Sequence, residues 1–275
     1  MRASRRVHAA GSSGRAGTLQ CMLDRIIAET SLRLPDLAAR GPEIMASAAA
    51  ASPARDFVGA LGAPGLSIIS EFKRASPSRG LLNSSMDPAT QAIAYESGGA
   101  AAMSILTEPT YFLGSAEDLI AARSAVSLPV IRKDFTLDPL HVWEARAMGA
   151  DAILLIVAIL DDATLATLLA TAREAGLGAL VEVHDSDEAR RAVDVGAECV
   201  GVNNRDLTTF AVDLATAEVV APIIEGVAVT VAESGIHGPA DAARMKEAGF
   251  DALLVGEYLV RSGDPRGAIE GLGNA

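Results

Sequence analysis

Aromatic side chains, cysteines and long apolar segments are scarce in this sequence of 275 residues. Phe, Trp and Tyr make up 4% of it, which disfavours an aromatic-rich binding surface and favours helices packed closely on a sheet. The two cysteines, Cys21 and Cys199, exclude a disulfide framework and fit a reducing, cytoplasmic setting. The longest apolar run, residues 152–160, is too short to span a bilayer, so we expect no membrane association.

Positive charge is also in short supply. The net charge is −12, which disfavours nucleic acid as a general partner. Hydrophobic residues make up 50% of the chain, enough for a large core. The length fits either one large α/β domain, of the size common for barrels, or two small domains.

The first 21 residues differ from the rest. They contain Arg2, Arg5, Arg6 and Arg15, no acidic residue, and many small residues between. This composition predicts a disordered basic tail over residues 1–21. A short transit peptide and a start codon assigned too early, with Met22 as the true start, are the alternatives. The segment lacks the apolar stretch of a secretory signal.

Residues 22–60 predict an N-terminal helical extension, with one or two short amphipathic helices that cap one end of the following domain. From residue 61 onward, apolar segments alternate with amphipathic ones. The predicted strands are residues 66–71, 102–106, 130–133, 152–156, 179–183, 199–202, 228–232 and 252–255. The predicted helices are residues 88–98, 115–124, 139–148, 162–175, 186–195, 211–220, 239–248 and 265–272.

A short motif recurs where three of these helices end. Residues 147–152, 195–199 and 248–252 each place a glycine after the helix and an acidic residue just before the next strand. Eight nearly continuous apolar strands, each followed by a helix, predict a single (β/α)8 TIM barrel over residues 61–275. A doubly wound open sheet is the alternative, but the glycine-rich phosphate fingerprint after its first strand is absent.

Charged side chains stand at the ends of these apolar strands. Glu71 and Lys73 lie two residues apart and therefore point to the same side of the first strand. Alone they would fit a surface ion pair as well as an acid–base pair. Charged or polar residues also end other strands: Lys133, Glu182, Asn203, Arg205 and Glu233. Because barrel enzymes place catalytic groups at the carboxyl ends of their strands, we expect one shared cavity.

Small residues follow the last two strands. Ser234, Gly235 and Gly256 stand where barrels commonly bind phosphate, and small side chains let backbone N–H groups approach an anion. Simple turn glycines are the other interpretation. Lys73, Lys133 and Arg205 make the cavity cationic within an acidic protein, which favours an anionic substrate.

The motif EFKRASPSRG, residues 71–80, resembles the first-strand signature of the indole-3-glycerol phosphate synthase family. Further segments agree with that family in order and spacing: IRKDF at residues 131–135, LVEVH at 180–184, GVNNRDL at 201–207 and ESGI at 233–236. The resemblance covers roughly residues 22–272.

The resemblance implies conversion of 1-(2-carboxyphenylamino)-1-deoxyribulose 5-phosphate to indole-3-glycerol phosphate, CO2 and water in tryptophan biosynthesis, without a cofactor or metal. Among the catalytic residues that it implies, Lys133 is the acid that protonates the ketone. Glu182 lies near the substrate hydroxyl, and Lys73 near the substrate carboxylate. Glu71 is a further candidate, and which of Glu71, Lys73 and Glu182 is acid or base in the dehydration stays open.

For substrate binding, the resemblance implies Asn203 and Arg205 at hydroxyls or the carboxylate. Phosphate or glycerol contacts are expected at Ser76, Ser234, Gly235 and Gly256, with Glu233 beside them. Phe112 and Phe135 are expected to wall the aryl ring, and His184 is expected to be structural. An aminoribulose phosphate isomerase and a non-catalytic sugar-phosphate-binding barrel are the alternatives. Association with other tryptophan-pathway enzymes and the oligomeric state are left open.

Overall fold

A closed barrel of eight parallel strands forms the centre of the structure, a computed structural model that describes residues 13–77, 79–207 and 209–275. In chain order the strands are β1 Ser67–Phe72, β2 Ala75–Ser76, β3 Gly80–Leu81, β4 Ala102–Leu106, β5 Val130–Lys133, β6 Ala152–Ile156, β7 Gly178–Val183, β8 Cys199–Asn203, β9 Val229–Glu233 and β10 Ala252–Val255. Strands β2 and β3 form a small antiparallel hairpin, and the other eight pair in sequence, with β1 closing on β10. The predicted (β/α)8 barrel is confirmed, and an open sheet is excluded.

Helices cover the outside of the barrel. They are α1 Ser13–Leu32, α2 Leu34–Ala39, α3 Gly41–Ala50, α4 Phe57–Leu61, α5 Pro88–Ser97, α6 Ala116–Ala125, α7 Pro139–Ala147, α8 Asp162–Glu174, α9 Ser186–Asp194, α10 Ala215–Val220, α11 Pro239–Glu247, α12 Glu257–Arg261 and α13 Pro265–Gly273. In the part of the chain that the structure describes, none of them has the length and apolarity needed to cross a membrane.

One predicted helix starts too early. Residues 211–214 are not helical, and α10 begins only at Ala215. Val212 instead forms a β-bridge with Arg205, and the N–H of Asp213 donates to the carbonyl of Asn204 at 3.0 Å. The chain after β8 is therefore folded back on itself before the helix starts.

Between Ser13, where the described residues begin, and β1 there are four helices, where the sequence predicted one or two. Helix α4 places Phe57 and Leu61 in the apolar cluster inside the barrel, so this helix closes the amino-terminal end of the strands. Helix α1 begins at Ser13, within the segment predicted to be a disordered tail, and residues 1–12 of that segment lie outside the described residues. The division of the chain at residues 21 and 60 stays a prediction.

On β1, β5, β7 and β9, the inward-facing side chains form an apolar layer and an ionisable layer. The layer toward the amino-terminal ends is apolar and includes Ile69, Ile131, Leu180 and Val231. Two residues later on the same four strands, the next layer holds Glu71, Lys133, Glu182 and Glu233. Because strand residues two apart point to the same side, the alternation that buries the apolar core also turns these ionisable groups inward.

Candidate active site

Lys133 lies at the centre of the polar layer. Its Nζ is 2.7 Å from Oε2 of Glu233 and 3.2 Å from Oε2 of Glu182. Burial disfavours the charge of this ammonium, but Glu233, Glu182 and Glu71 outweigh burial and raise the pKa of Lys133 above its ordinary value. Lys133 is therefore a protonated amine clamped between two buried carboxyl groups.

The two carboxyl groups have different surroundings. Oε1 of Glu182 accepts a hydrogen bond from Asn203 Nδ2 at 3.2 Å and lies 3.3 Å from Nε2 of His184. Burial opposes ionisation of Glu182, but Lys133, His184 and Asn203 together hold its pKa well below the usual range. Glu182 is thus ionised at neutral pH.

Glu233 has the opposite charge preference. Burial raises its pKa to about 8; Lys133 opposes the shift, and the charge of Glu182 adds to it. Its Oε1 atom is buried and has no hydrogen-bond partner among the residues that the structure describes. Two titratable groups whose environments push their pKa values apart are the usual signature of an acid–base site.

Glu71 and Lys73 form a direct ion pair at the end of β1. Glu71 is buried, and both side chains line the cavity above Lys133 rather than the outer surface. Gly256 makes room for this pair, because a Cβ at that position would lie 2.7 Å from Oε1 of Glu71. The shared direction predicted for Glu71 and Lys73 is confirmed, and their position favours the acid–base interpretation over a surface pair.

Gly201 is a residue of the site that the sequence analysis missed. A Cβ there would lie 2.2 Å from Oε1 of Glu233, so only glycine leaves room for that carboxyl group. A glycine inside an otherwise apolar strand is a recognisable sign of such a close approach.

The turn after β9 adopts an unusual backbone shape. Ser234 and Gly235 have φ values of 64° and 84°, both in the left-handed region. Asn204 holds this turn, because its Nδ2 donates to the carbonyls of Glu233 and Ser234 at 3.1 and 3.3 Å. Its Oδ1 accepts from the N–H of Ala217, which ties the turn to α10. The short helix α12, which the sequence analysis also missed, starts directly after Gly256.

Two aromatic rings form one wall of the cavity. The centroids of Phe112 and Phe135 are 6.4 Å apart, with the rings tilted by 44°. Glu108 shapes the loop that carries Phe112, because its carboxylate accepts the N–H groups of Thr110, Tyr111 and Phe112 at 3.0, 2.6 and 3.1 Å. These rings give an otherwise charged cavity one apolar side.

The structure places all the predicted site residues around one cavity of about 580 Å³. They are Glu71, Lys73, Ser76, Phe112, Lys133, Phe135, Glu182, Asn203, Arg205, Glu233, Ser234, Gly235 and Gly256. Helix α1 contributes Met22, Leu23 and Ile26 to the same cavity. Over residues 13–77, 79–207 and 209–275, no group of three or more His, Cys, Asp and Glu side chains is arranged to hold a metal ion. The roles of the thirteen residues stay predictions.

Comparison with known proteins gives one clear family. The profile of the family described as "Indole-3-glycerol phosphate synthase" matches residues 23–272. A protein of that name from Rhodococcus opacus is 48% identical over 259 residues, covering 94% of this chain and 95% of the relative. One from Mycolicibacterium smegmatis is 51% identical over 230 residues, covering 84% and 85%.

Solved structures with lower sequence identity share the fold. The N-acetylmannosamine-6-phosphate 2-epimerase from Clostridium perfringens matches with a TM-score of 0.60 and 19% identity, covering 76% of this chain and 93% of that one. The thiamine phosphate pyrophosphorylase from Pyrococcus furiosus has a TM-score of 0.57 and the same identity, covering 79% and 96%. At this identity the likeness concerns the barrel alone.

Proposed function

The chain belongs to the indole-3-glycerol phosphate synthase family, and from this premise we propose that the cavity around Lys133 is where the family's reaction occurs. The enzyme is a carboxy-lyase of tryptophan biosynthesis that closes the indole ring of a phosphorylated substrate. 1-(2-carboxyphenylamino)-1-deoxyribulose 5-phosphate gives indole-3-glycerol phosphate, CO2 and water. The observation that carries the proposal is the buried ammonium of Lys133 between Glu182 and Glu233.

In the first step, the aryl carbon that bears the carboxylate attacks the ketone carbon. Lys133 gives a proton to the ketone oxygen, which becomes a hydroxyl group. The flanking carboxyl groups support this role because they keep the amine protonated before the step. The carboxylate then leaves as CO2, and its electron pair restores the aromatic ring. We assign Lys73, held by Glu71, to the substrate carboxylate during these steps.

Dehydration completes the reaction. The hydroxyl leaves as water after taking a second proton, and the carbon next to the nitrogen loses one. Two protons are used and one is returned, so each turnover takes up one proton from solvent. Glu182, ionised beside Lys133, is suited to act near the hydroxyl. Which group among Glu71, Lys73 and Glu182 takes the carbon-bound proton is left open.

The rest of the cavity is assigned to binding. The turn at Ser234 and Gly235 offers backbone N–H groups to the phosphate, together with Gly256 and Ser76. Asn203 and Arg205 are assigned to the substrate hydroxyls or carboxylate. Phe112 and Phe135 are assigned to the aryl ring.

Turnover of the substrate tests the function directly. Purified protein should produce the fluorescence of the indole product, and Lys133→Met should reduce kcat by about 10²–10⁴-fold, the range of one general acid. Lys246→Met is the matched control, because this exposed lysine on α11 only donates to the carbonyl of Ala275. Circular dichroism should show that both variants are folded.

The outcomes separate the competing functions. No fluorescence from micromolar wild-type protein would exclude the synthase activity, whereas full turnover by Lys133→Met would exclude only the role of Lys133 as the acid. An isomerase would consume the substrate without releasing CO2, and a non-catalytic sugar-phosphate sensor would bind it without turnover. A cytoplasmic location and association with other tryptophan-pathway enzymes stay proposals.

A further inference from the structure

Lys133 contacts two carboxyl groups, and that of Glu233 is the nearer one. Its ammonium donates to Oε2 of Glu233 at 2.7 Å and lies 3.2 Å from Oε2 of Glu182, on strands that flank β8 on either side. Like charges this close disfavour each other, and one proton shared between the pair relieves the repulsion. The position of Lys133 alone favours the negative charge on Glu233, so a third group is needed to place it on Glu182.

His184 is in position to do this. Its Nε2 lies 3.3 Å from Oε1 of Glu182, within ion-pair distance but not aligned as a hydrogen bond, on the side of that carboxylate away from Lys133. Among the described residues, the corresponding oxygen of Glu233, Oε1, has no hydrogen-bond partner, and it faces Gly201, which has no side chain. In this part of the chain Glu182 therefore has a second basic group beside it, whereas Glu233 does not.

Glu188 fixes the imidazole in this orientation. Its Oε2 lies 3.0 Å from Nδ1 of His184 and also accepts the backbone N–H of His184 at 2.8 Å. The His184 side chain is only 10% exposed, so it is held between Glu182 and Glu188 with little access to water. An imidazole between two carboxylates is favoured in its doubly protonated form.

We propose that His184, anchored by Glu188, is a positioning residue that assigns the negative charge of the pair around Lys133 to Glu182 and leaves the proton on Glu233. The proposal rests on the proposed function, in which Glu182 acts as a carboxylate. Other acids near His184 line the recess on its outer side: Asp24 from α1, Asp185 from the start of α9, and Asp206 and Asp213 from the loop after β8.

The pKa directions agree with this geometry. Burial disfavours the imidazolium, but Glu182 and Glu188 overcome burial and raise the pKa of His184 to about 10. His184 in turn helps to lower the pKa of Glu182, while that of Glu233 is raised.

The first test observes the histidine directly and needs no turnover. The chain has four histidines, so ring ¹⁵N NMR of the full-length protein is tractable, and His184→Gln identifies the signal. We expect His184 to remain doubly protonated at pH 8.5. In Glu188→Gln the His184 signal should titrate at lower pH. A His184 ring that is neutral at pH 7.5 in the wild type would overturn the proposal.

The second test compares kcat/KM of variant and wild type across pH. In His184→Gln the acidic limb should move up by about one pH unit or more, because a nearby opposite charge lowers a carboxyl pKa by about 1–3 units. Because the wild-type limb lies well below the ordinary carboxyl range, the variant-to-wild-type ratio should fall toward the acidic end of the pH range in which the protein stays folded, by up to about tenfold for each unit that the limb moves. A residue that only supports the fold would lower the ratio equally at every pH, and such a flat profile would overturn the proposal.

Glu188→Gln keeps the test sound if His184→Gln folds poorly. Its ratio of kcat/KM to that of the wild type should also fall toward low pH, by a smaller factor. Asp187→Asn is the matched control, because this neighbouring carboxylate on α9 is exposed and contacts Arg190 rather than His184. Its ratio of kcat/KM to that of the wild type should stay near one at every pH. Wild-type turnover shows independently whether the proposed function holds, so the two failures are distinguishable.

Discussion

The recurring motif at the helix ends predicts a stability difference between its copies. In the first copy, Asp151 is fully buried just before β6 and accepts four hydrogen bonds. They come from the backbone N–H of Arg55 and of Val130, each at 2.8 Å, and from Nη2 and Nε of Arg123 at 3.0 and 3.4 Å. The carboxylate thus ties the segment before α4 to two strands of the barrel.

The magnitude follows from these contacts. A hydrogen bond to a charged group contributes about 1.5–3 kcal/mol, so at the lower end of that range the three shorter bonds of Asp151 give a loss of about 4.5 kcal/mol in the free energy of unfolding for Asp151→Ala. In the third copy, Asp251 accepts from the N–H and Oγ1 of Thr230, both at 2.8 Å, and Asp251→Ala should cost about 3 kcal/mol on the same basis. The second copy carries Glu198, an exposed side chain that contacts Arg173, and Glu198→Ala should leave the unfolding midpoint unchanged.

Equilibrium unfolding in guanidinium measures this order. The single tryptophan, Trp143 on α7, packs against the core and reports the transition by fluorescence. The slope of the free energy of unfolding against guanidinium concentration should be the same in all variants, so that differences in midpoint reflect differences in stability. Because Asp151 lies at the amino-terminal ends of the strands, away from the cavity, kcat at low temperature should not change. An Asp151→Ala midpoint equal to that of Glu198→Ala would refute the reasoning.

Two further predictions concern Glu233. Gly201→Ala should lower kcat at least tenfold and the free energy of unfolding by about 1–3 kcal/mol, because the new methyl group displaces the Glu233 carboxyl group. Gly238→Ala is the control for both measurements, because a Cβ at that position meets no atom within 4 Å. Glu233 also predicts a pH dependence, since its pKa is about 8 in the folded protein against 4.5 ordinarily. The protonated form stabilises the folded state, so wild-type stability should fall as pH rises from about 4.5 to about 8, and Glu233→Gln should flatten that fall in guanidinium midpoints. A Glu233→Gln midpoint with the wild-type pH dependence would contradict the assignment.

The barrel was predictable because its signals are local. Apolar strands, helix-starting prolines and glycines after the helices recur along the chain, and each acts within a few residues. The features that were missed are short, irregular segments that no apolar periodicity marks. Helix α10 starts late because Val212 pairs with Arg205, and the hairpin of β2 and β3 consists of only four residues.

Much of the cavity was predictable for a similar reason. The rule that barrel strands carry functional groups at their carboxyl ends selected Lys133, Glu182 and Glu233 without any knowledge of their contacts. The same rule gave no reason to choose Gly201, because glycine has no side chain that could act in catalysis or binding. His184 was predicted to be structural, although its spacing of two residues from Glu182 gives the two side chains the same direction.

The charge states of the two central carboxyl groups show why other features of the site could be derived only from the structure. Glu182 and Glu233 each end an apolar strand, and each lies against the same ammonium. Their pKa values nevertheless move in opposite directions. Glu182 accepts a hydrogen bond from Asn203 on the adjacent strand and has His184 beside it. Glu233 instead faces Gly201, which has no side chain. The difference between the two pKa values therefore depends on which groups lie beside each carboxyl group at the same height of the barrel. The strand register sets that height, and the register follows from closure of all eight strands.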